Sequence, residues 1–237
     1  MELNYFSLKQ TARLTGLLYI LSAITAIFDY TYVSAKLSAE GNIVATADKM
    51  LANEVLFRTS LLTNIIGNIL FVIVIIMLYR VLKQVNGTQA LVMASIAFVA
   101  IPVSFIAESC RIAALYIFKG ELLKSYPVEQ AKAVAELLLN IGNYSAKLIT
   151  FHWGFWLLPM GWLVYNSRFI PRILGIFLVV NGFGFIITSV TFILFPEYLG
   201  PVLRIIFPTF FLGEIPLMFW LAVKGIKIRS VQQSTLE

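Results

Sequence analysis

The chain has one cysteine, one histidine and little charge, with Asp, Glu, Lys and Arg together making up 13% of its 237 residues. The lone Cys110 excludes an intrachain disulfide and any cysteine-based metal cluster. The lone His152 excludes a bis-histidine haem, so a metal site would have only carboxylates and asparagines to draw on. No cofactor and no metal are expected. Hydrolytic signatures are missing too: there is no Gly-x-Ser-x-Gly, no His-Glu-x-x-His and no paired acidic metal box. Internal repeats and low-complexity tracts are also absent.

What the chain has instead is hydrocarbon. Apolar residues make up 59% of it, and mean hydropathy is +0.87. A soluble domain of this size needs far more polar surface, so its solvent must be largely lipid. The length gives room for about six spans with short loops and none for a separate soluble domain. A single integral membrane domain over 1–237 is therefore expected. The net charge of +6 invites a nucleic-acid reading. However, the Lys and Arg residues are scattered over helix ends, with no run denser than Lys224, Lys227 and Arg229. Nucleic acid is not an expected partner; a lipid bilayer is.

Six stretches read as membrane-spanning helices: 12–32, 55–79, 89–118, 137–165, 173–195 and 202–223. The fold expected is an all-α polytopic bundle. Val33-Ser34-Ala35 has the small residues of a signal cleavage site, but the run through Tyr30 and Tyr32 suits the aromatic belt of a retained span. Between the first two spans, 34–53 is polar and carries a short helix around 44–51. The third stretch should bend at Pro102, and 120–135 reads as a polar connector containing Pro127. Pro171 opens the fifth span, Pro208 and Pro216 interrupt the sixth, and a basic tail follows.

Loop charge orients these spans. Lys9, Arg13, Arg80, Lys83, Arg168, Arg172, Lys224, Lys227 and Arg229 fall on one side, opposed only by Glu2 and Glu237. The other side mixes Lys36, Lys49, Arg58, Lys119, Lys124, Lys132 and Arg204 with many acids. The positive-inside rule then puts both termini in the cytoplasm.

Several phrases occur together: Ala12-Arg13-Leu14-Thr15-Gly16-Leu17-Leu18-Tyr19, Asn53-Glu54-Val55-Leu56-Phe57-Arg58, Leu78-Tyr79-Arg80-Val81-Leu82, Ser167-Arg168-Phe169-Ile170-Pro171-Arg172-Ile173-Leu174-Gly175, and Gly213-Glu214 through Trp220-Leu221 to Lys224-Gly225. As a set they resemble the bacterial multi-pass membrane family known as domain of unknown function 4386, over nearly the whole chain. The resemblance implies six retained spans in a bacterial cytoplasmic (inner) membrane. It implies no activity and no site residues.

Candidate site residues come from depth. Glu214 stands ten positions from both Arg204 and Lys224, so at about 1.5 Å per residue it lies roughly 15 Å from either end of its span. An ionisable group there costs on the order of 3 kcal/mol or more unless neutralised, paired or hydrated. Asn181 and Asn68 fall near the same depth. Asn64 and His152 lie further out, followed by Glu108, with Arg111, Lys147, Arg58 and Arg204 at the outer interface. Polarity thus rises toward the outside and stops halfway. Glu108 and Arg111 are spaced to pair at i, i+3, Glu54 and Arg58 at i, i+4, and Asn64 and Asn68 share a face. Asn140, Asn143, Lys147, Gly154 and Gly161 lie within about 60° of arc on the fourth span, a stripe suited to a helix–helix contact or a cavity wall.

Each of these residues also has a plain structural reading. Long basic side chains snorkel to headgroups, asparagines tie helices together, a lone histidine packs as a hydrogen-bonded ring, and a buried acid donates one hydrogen bond. The functional reading is an outward-facing polar pocket, its basic mouth (Arg58, Arg111, Lys147, Arg204) drawing a small anionic or amphipathic molecule toward a floor of Glu214, Asn68 and His152. Two alternatives remain open: an intramembrane enzyme acting on lipid, with Glu108 or Glu214 as general base, and a structural subunit whose polar groups only fix packing.

Overall fold

The computed structural model describes residues 5–39 and 42–226, and among these the chain is helix and turn with no strand. Glu2, Lys227, Arg229 and Glu237, which entered the charge count, lie outside the described residues, as does the rest of the basic tail.

Helix α1 (Tyr5–Ile27) passes without a break into a π-helical turn, Phe28–Val33, and then into α2 (Ser34–Leu37). No Gly or Pro lies between Leu17 and Glu40, so nothing in the sequence stops the helix at residue 32. Helix α3 (Ile43–Ala52) is capped by Asn42, whose side chain accepts from the Ala45 amide. Helix α4 (Glu54–Leu82) follows at once, and α5 (Gly87–Phe118) is capped by Asn86, which accepts from Gln89 N–H.

Helix α6 (Val128–Asn166) starts nine residues before the expected 137 and takes in half of the presumed connector. The residues after Pro127 are strong helix formers, and Ala131 and Ala135 are buried in a cluster with Ala114 and Ile117. Polar composition hid an amphipathic first turn. Helix α7 (Arg172–Leu194) begins after Pro171, and a short 3-10 turn (Pro196–Tyr198) leads into α8 (Leu199–Leu212) and α9 (Glu214–Val223).

The sixth stretch is thus broken, but at Gly213 rather than at either proline. Pro208 is carried inside α8. Pro216 sits in the first turn of α9, where its missing N–H costs nothing. In a continuous helix, however, Pro216 would have to bond the Leu212 carbonyl. It has no N–H for that bond, and its ring would strike that oxygen, so the helix ends at Leu212 and restarts.

Four helical stretches are long and apolar enough to cross a membrane: Leu8–Leu37, Glu54–Leu82, Gly87–Phe118 and Arg172–Leu194. The apolar half of α6 carries His152, three tryptophans (Trp153, Trp156, Trp162) and Pro159, which lower its hydropathy, and α8 and α9 are individually too short. Lipid is the natural solvent for faces such as Leu62, Ile66, Ile69, Ile73 and Ile76 of α4, all exposed.

Two compact units are distinguished. The first comprises Met1–Leu21, Leu70–Ile101 and Lys147–Glu237. Within it, glycines bring α6 and α7 together. A Cβ on Gly161 would stand 2.8 Å from the Gly175 carbonyl oxygen, and one on Gly182 would stand 2.9 Å from that of Gly154. The spacing is seven residues on each helix. Between helices in lipid the hydrophobic effect offers no drive, so such backbone contact is what dispersion needs. The glycine half of the predicted α6 stripe is this interface, whereas Asn140 and Asn143 are exposed. Tyr19, Phe71, Trp153 and Trp156 form an edge-on and tilted aromatic cluster in the same unit, with ring centroids 5.2–6.3 Å apart.

The second unit comprises Ser22–Ile69 and Pro102–Ala146. Its core gathers Val33, Leu37, Met50, Phe57, Leu61 and Leu115. Here Ser22 Oγ donates to the Gly67 carbonyl at 3.1 Å, and Thr25 occupies the space a Gly67 side chain would need.

Candidate functional site

The second unit holds a connected group of charged and polar side chains. Arg111, on α5, places Nη1 3.1 Å from Glu108 Oε2 and 3.3 Å from Asp29 Oδ2. Its Nη2 lies 3.2 Å from Asp29 Oδ1 and donates to Ser60 Oγ at 3.3 Å. The guanidinium also rests over the Phe57 ring, 5.4 Å from its centroid. Glu108 in turn accepts from Asn64 Nδ2 at 3.0 Å. Next along α4, Asn68 Nδ2 donates to Ser104 Oγ at 2.9 Å and to the Asn64 carbonyl.

Local sequence explains the alignment. Glu108 and Arg111 are i, i+3 on α5, and Ser60, Asn64 and Asn68 are i, i+4 and i+8 on α4, so each helix contributes one face. Asp29 comes from the π-helical turn. The wider turn resets the phase of the helix, and such turns are common at functional sites. The three charged side chains keep 13–24% of their surface exposed, so the group is neither dry nor freely solvated.

Toward the ends of α4 and α5, Arg58 Nε pairs with Glu54 at 2.7 Å, as the spacing predicts, and its guanidinium lies over Tyr116. Lys119 bonds both Glu54 and Glu121. Those two carboxylates, Glu121 first, hold its ammonium above the ordinary lysine range. A cleft of about 650 Å³ opens beside Glu54, lined by Leu51, Ala52, Asn53, Val55, Leu56 and Thr59.

The remaining predicted residues belong to the first unit. Glu214 opens α9, and its Oε1 accepts from the Tyr19 hydroxyl of α1. His152 Nε2 meets the Ile96 carbonyl. Lys147 lies over the Phe192 ring, 4.9 Å from its centroid, and Arg204 is exposed on α8.

Two residues that the sequence reading passed over prove central: Tyr19 and Asp29. A signal for both was present. Thr15, Tyr19, Ser22 and Thr25 recur at three- and four-residue steps along α1, and Asp29 follows four residues on in the π-helical turn, so one polar face can be traced in the sequence. That face is masked in a window average by the leucines and isoleucines between.

The family model for "Domain of unknown function (DUF4386)" matches residues 14–225. The chain belongs to that family. A protein of Archaeoglobus fulgidus, described as "Uncharacterized protein", is 35% identical over 78 residues, which make up 33% of this chain and 44% of the relative. The chain therefore spans less than half the length of that relative. No solved structure matches. The resemblance drawn from the motifs is thus established over most of the chain.

Proposed function

We infer that this DUF4386 protein crosses a prokaryotic cytoplasmic membrane six times, with both termini inside, and binds a small cationic or amphipathic solute at the Asp29–Glu108–Arg111 group. The observation that carries this reading is the double engagement of Arg111 by two carboxylates. Formally the group sums to one negative charge. Charge inside a membrane protein is expensive, so it is retained where it serves a pathway or a ligand.

The same arithmetic moves the solute away from the anion that basic residues alone suggest. Arg58 and Lys119 are matched by Glu54 and Glu121, and Arg111 is more than matched. A net acidic group wrapped in Asn64, Asn68, Ser60 and Ser104 suits a cation with some apolar surface, for which Phe57 offers a face.

The test is binding of labelled tetraphenylphosphonium, choline and methylammonium to the full chain in nanodiscs. At least one should bind, with affinity at least tenfold lower in Glu108→Gln and Asp29→Asn. Accumulation of the same label in proteoliposomes would establish transport, and saturable binding without accumulation a receptor. If none binds, or if the two variants bind unchanged, the reading is wrong. A purely structural role draws on the same closed set of bonds, and it predicts that these variants lose stability alone.

A further inference from the structure

The first and last described helices, α1 and α9, meet within the first unit. A Cβ on Gly16 would stand 2.7 Å from the Leu221 carbonyl carbon, so glycine is what lets the two backbones touch. Beyond that contact Gly225 ends α9 at φ +65°, its N–H donating to the Trp220 and Leu221 carbonyls. A side chain there would stand 3.1 Å from the Lys9 carbonyl oxygen, 3.2 Å from Arg13 Cγ and 3.3 Å from Lys9 Cγ. The stems of Lys9 and Arg13 therefore flank the residue that follows Lys224. Three bases from opposite ends of the sequence are gathered at one end of this helix pair, Arg13 and Lys224 exposed and Lys9 half-buried.

Nothing anionic in the unit answers them. None of the three has an ion-pair partner among the described residues. The acids described in this unit are Glu197, beyond the far end of α7, and Glu214, which accepts from Tyr19 roughly 15 Å along its helix from Lys224. Below the charges the surface turns apolar: Leu17 and Leu21, one and two turns on from Arg13, are both exposed.

We propose that Lys9, Arg13 and Lys224 hold the phosphodiester headgroup of an anionic phospholipid whose hydrocarbon chains lie on Leu17 and Leu21. The bases stand where the helices leave the hydrocarbon, which is headgroup depth, and basic clusters at that depth recognise anionic lipid. Each such base contributes about fivefold in affinity for an anionic membrane surface. The site takes from the reading above only that α1 and α9 end at a membrane surface. It is separate from the Asp29–Glu108–Arg111 group and stands whether or not that group binds a solute.

Native mass spectrometry of the full chain in detergent tests this, with phosphatidylglycerol, phosphatidylcholine and inorganic phosphate titrated in turn. One phosphatidylglycerol should be retained at a concentration at least tenfold below that needed for phosphatidylcholine. The triple variant Lys9→Gln, Arg13→Gln, Lys224→Gln should lose that preference. A control of equal net charge, Arg80→Gln, Lys83→Gln, Arg172→Gln, should keep it. Equal loss in the control would reduce the effect to general charge attraction and overturn the site. So would equal retention of the two lipids by the unaltered chain, or binding of inorganic phosphate as tight as that of phosphatidylglycerol. A chain that stays soluble without detergent would overturn the membrane reading, and this site with it.

Discussion

The Tyr19 hydroxyl donates to Glu214 Oε1, joining residues 195 positions apart in sequence. Tyr19 is itself buried and packed edge-on against Trp156, so it cannot swing away to another partner. Tyr19→Phe keeps that packing and removes only the donor. It should lower stability by about 1–3 kcal/mol, the range for a buried acceptor left unmatched. Thermal unfolding of the purified variant measures this. A double cycle with Glu214→Gln separates the bond from its surroundings: the coupling between the two positions should be at least about 0.5 kcal/mol, and additivity would show that the bond contributes nothing.

Arg111 is held from two helical segments at once, so its loss strands two carboxylates. Arg111→Met preserves much of the stem and deletes the charge. Removing one member of a partly buried ion group costs about 3 kcal/mol, since the remaining charges are left uncompensated. Adding Asp29→Asn and Glu108→Gln to that variant should restore much of the loss, because the amides need no counter-charge. A triple variant as unstable as Arg111→Met would mean that the ions are not what the arginine serves.

Much of this architecture could be read from residue order. The hydrophobic runs located α4, α5 and α7 to within a few residues, and the i, i+3 and i, i+4 spacings placed Glu108 beside Arg111 and Glu54 beside Arg58. What escaped was whatever depends on partners far along the chain. Asp29 lay in a segment read as an aromatic belt, and nothing local announces a π-helical turn. Tyr19 was visible as a motif residue, but its partner is 195 positions away. The break at Gly213 escaped for a different reason. Proline was read as the breaker at its own position, whereas its missing N–H acts on the carbonyl four residues earlier.

The glycine contact between α6 and α7 makes a stability prediction with an internal control. A side chain at Gly161 or Gly175 must displace backbone, not the tip of a flexible residue. Gly175→Leu should therefore cost at least about 2 kcal/mol, or abolish the folded state in detergent. Gly87 has open space around it, and Gly87→Ala at the start of α5 should change stability by less than about 1 kcal/mol. Comparable losses at both positions would show that helix propensity, not close approach, governs these sites.

Orientation in the membrane can be decided with single cysteines. Cys110→Ser first clears the background, since Cys110 is the chain's one native thiol. Gly87→Cys then marks the start of α5, just after the short turn that follows Arg80 and Lys83, and Ser125→Cys marks the loop before α6; both positions are exposed. The positive-inside rule places the first in the cytoplasm and the second outside, because α5 separates them. In intact cells (spheroplasts, where an outer membrane blocks access), a membrane-impermeant maleimide should label Ser125→Cys and leave Gly87→Cys untouched until the membrane is opened. The reverse pattern would invert the protein and put the Asp29–Glu108–Arg111 group toward the cytoplasmic side. Labelling of both before lysis would mean that α5 does not span at all, and the six-span reading would fall with it.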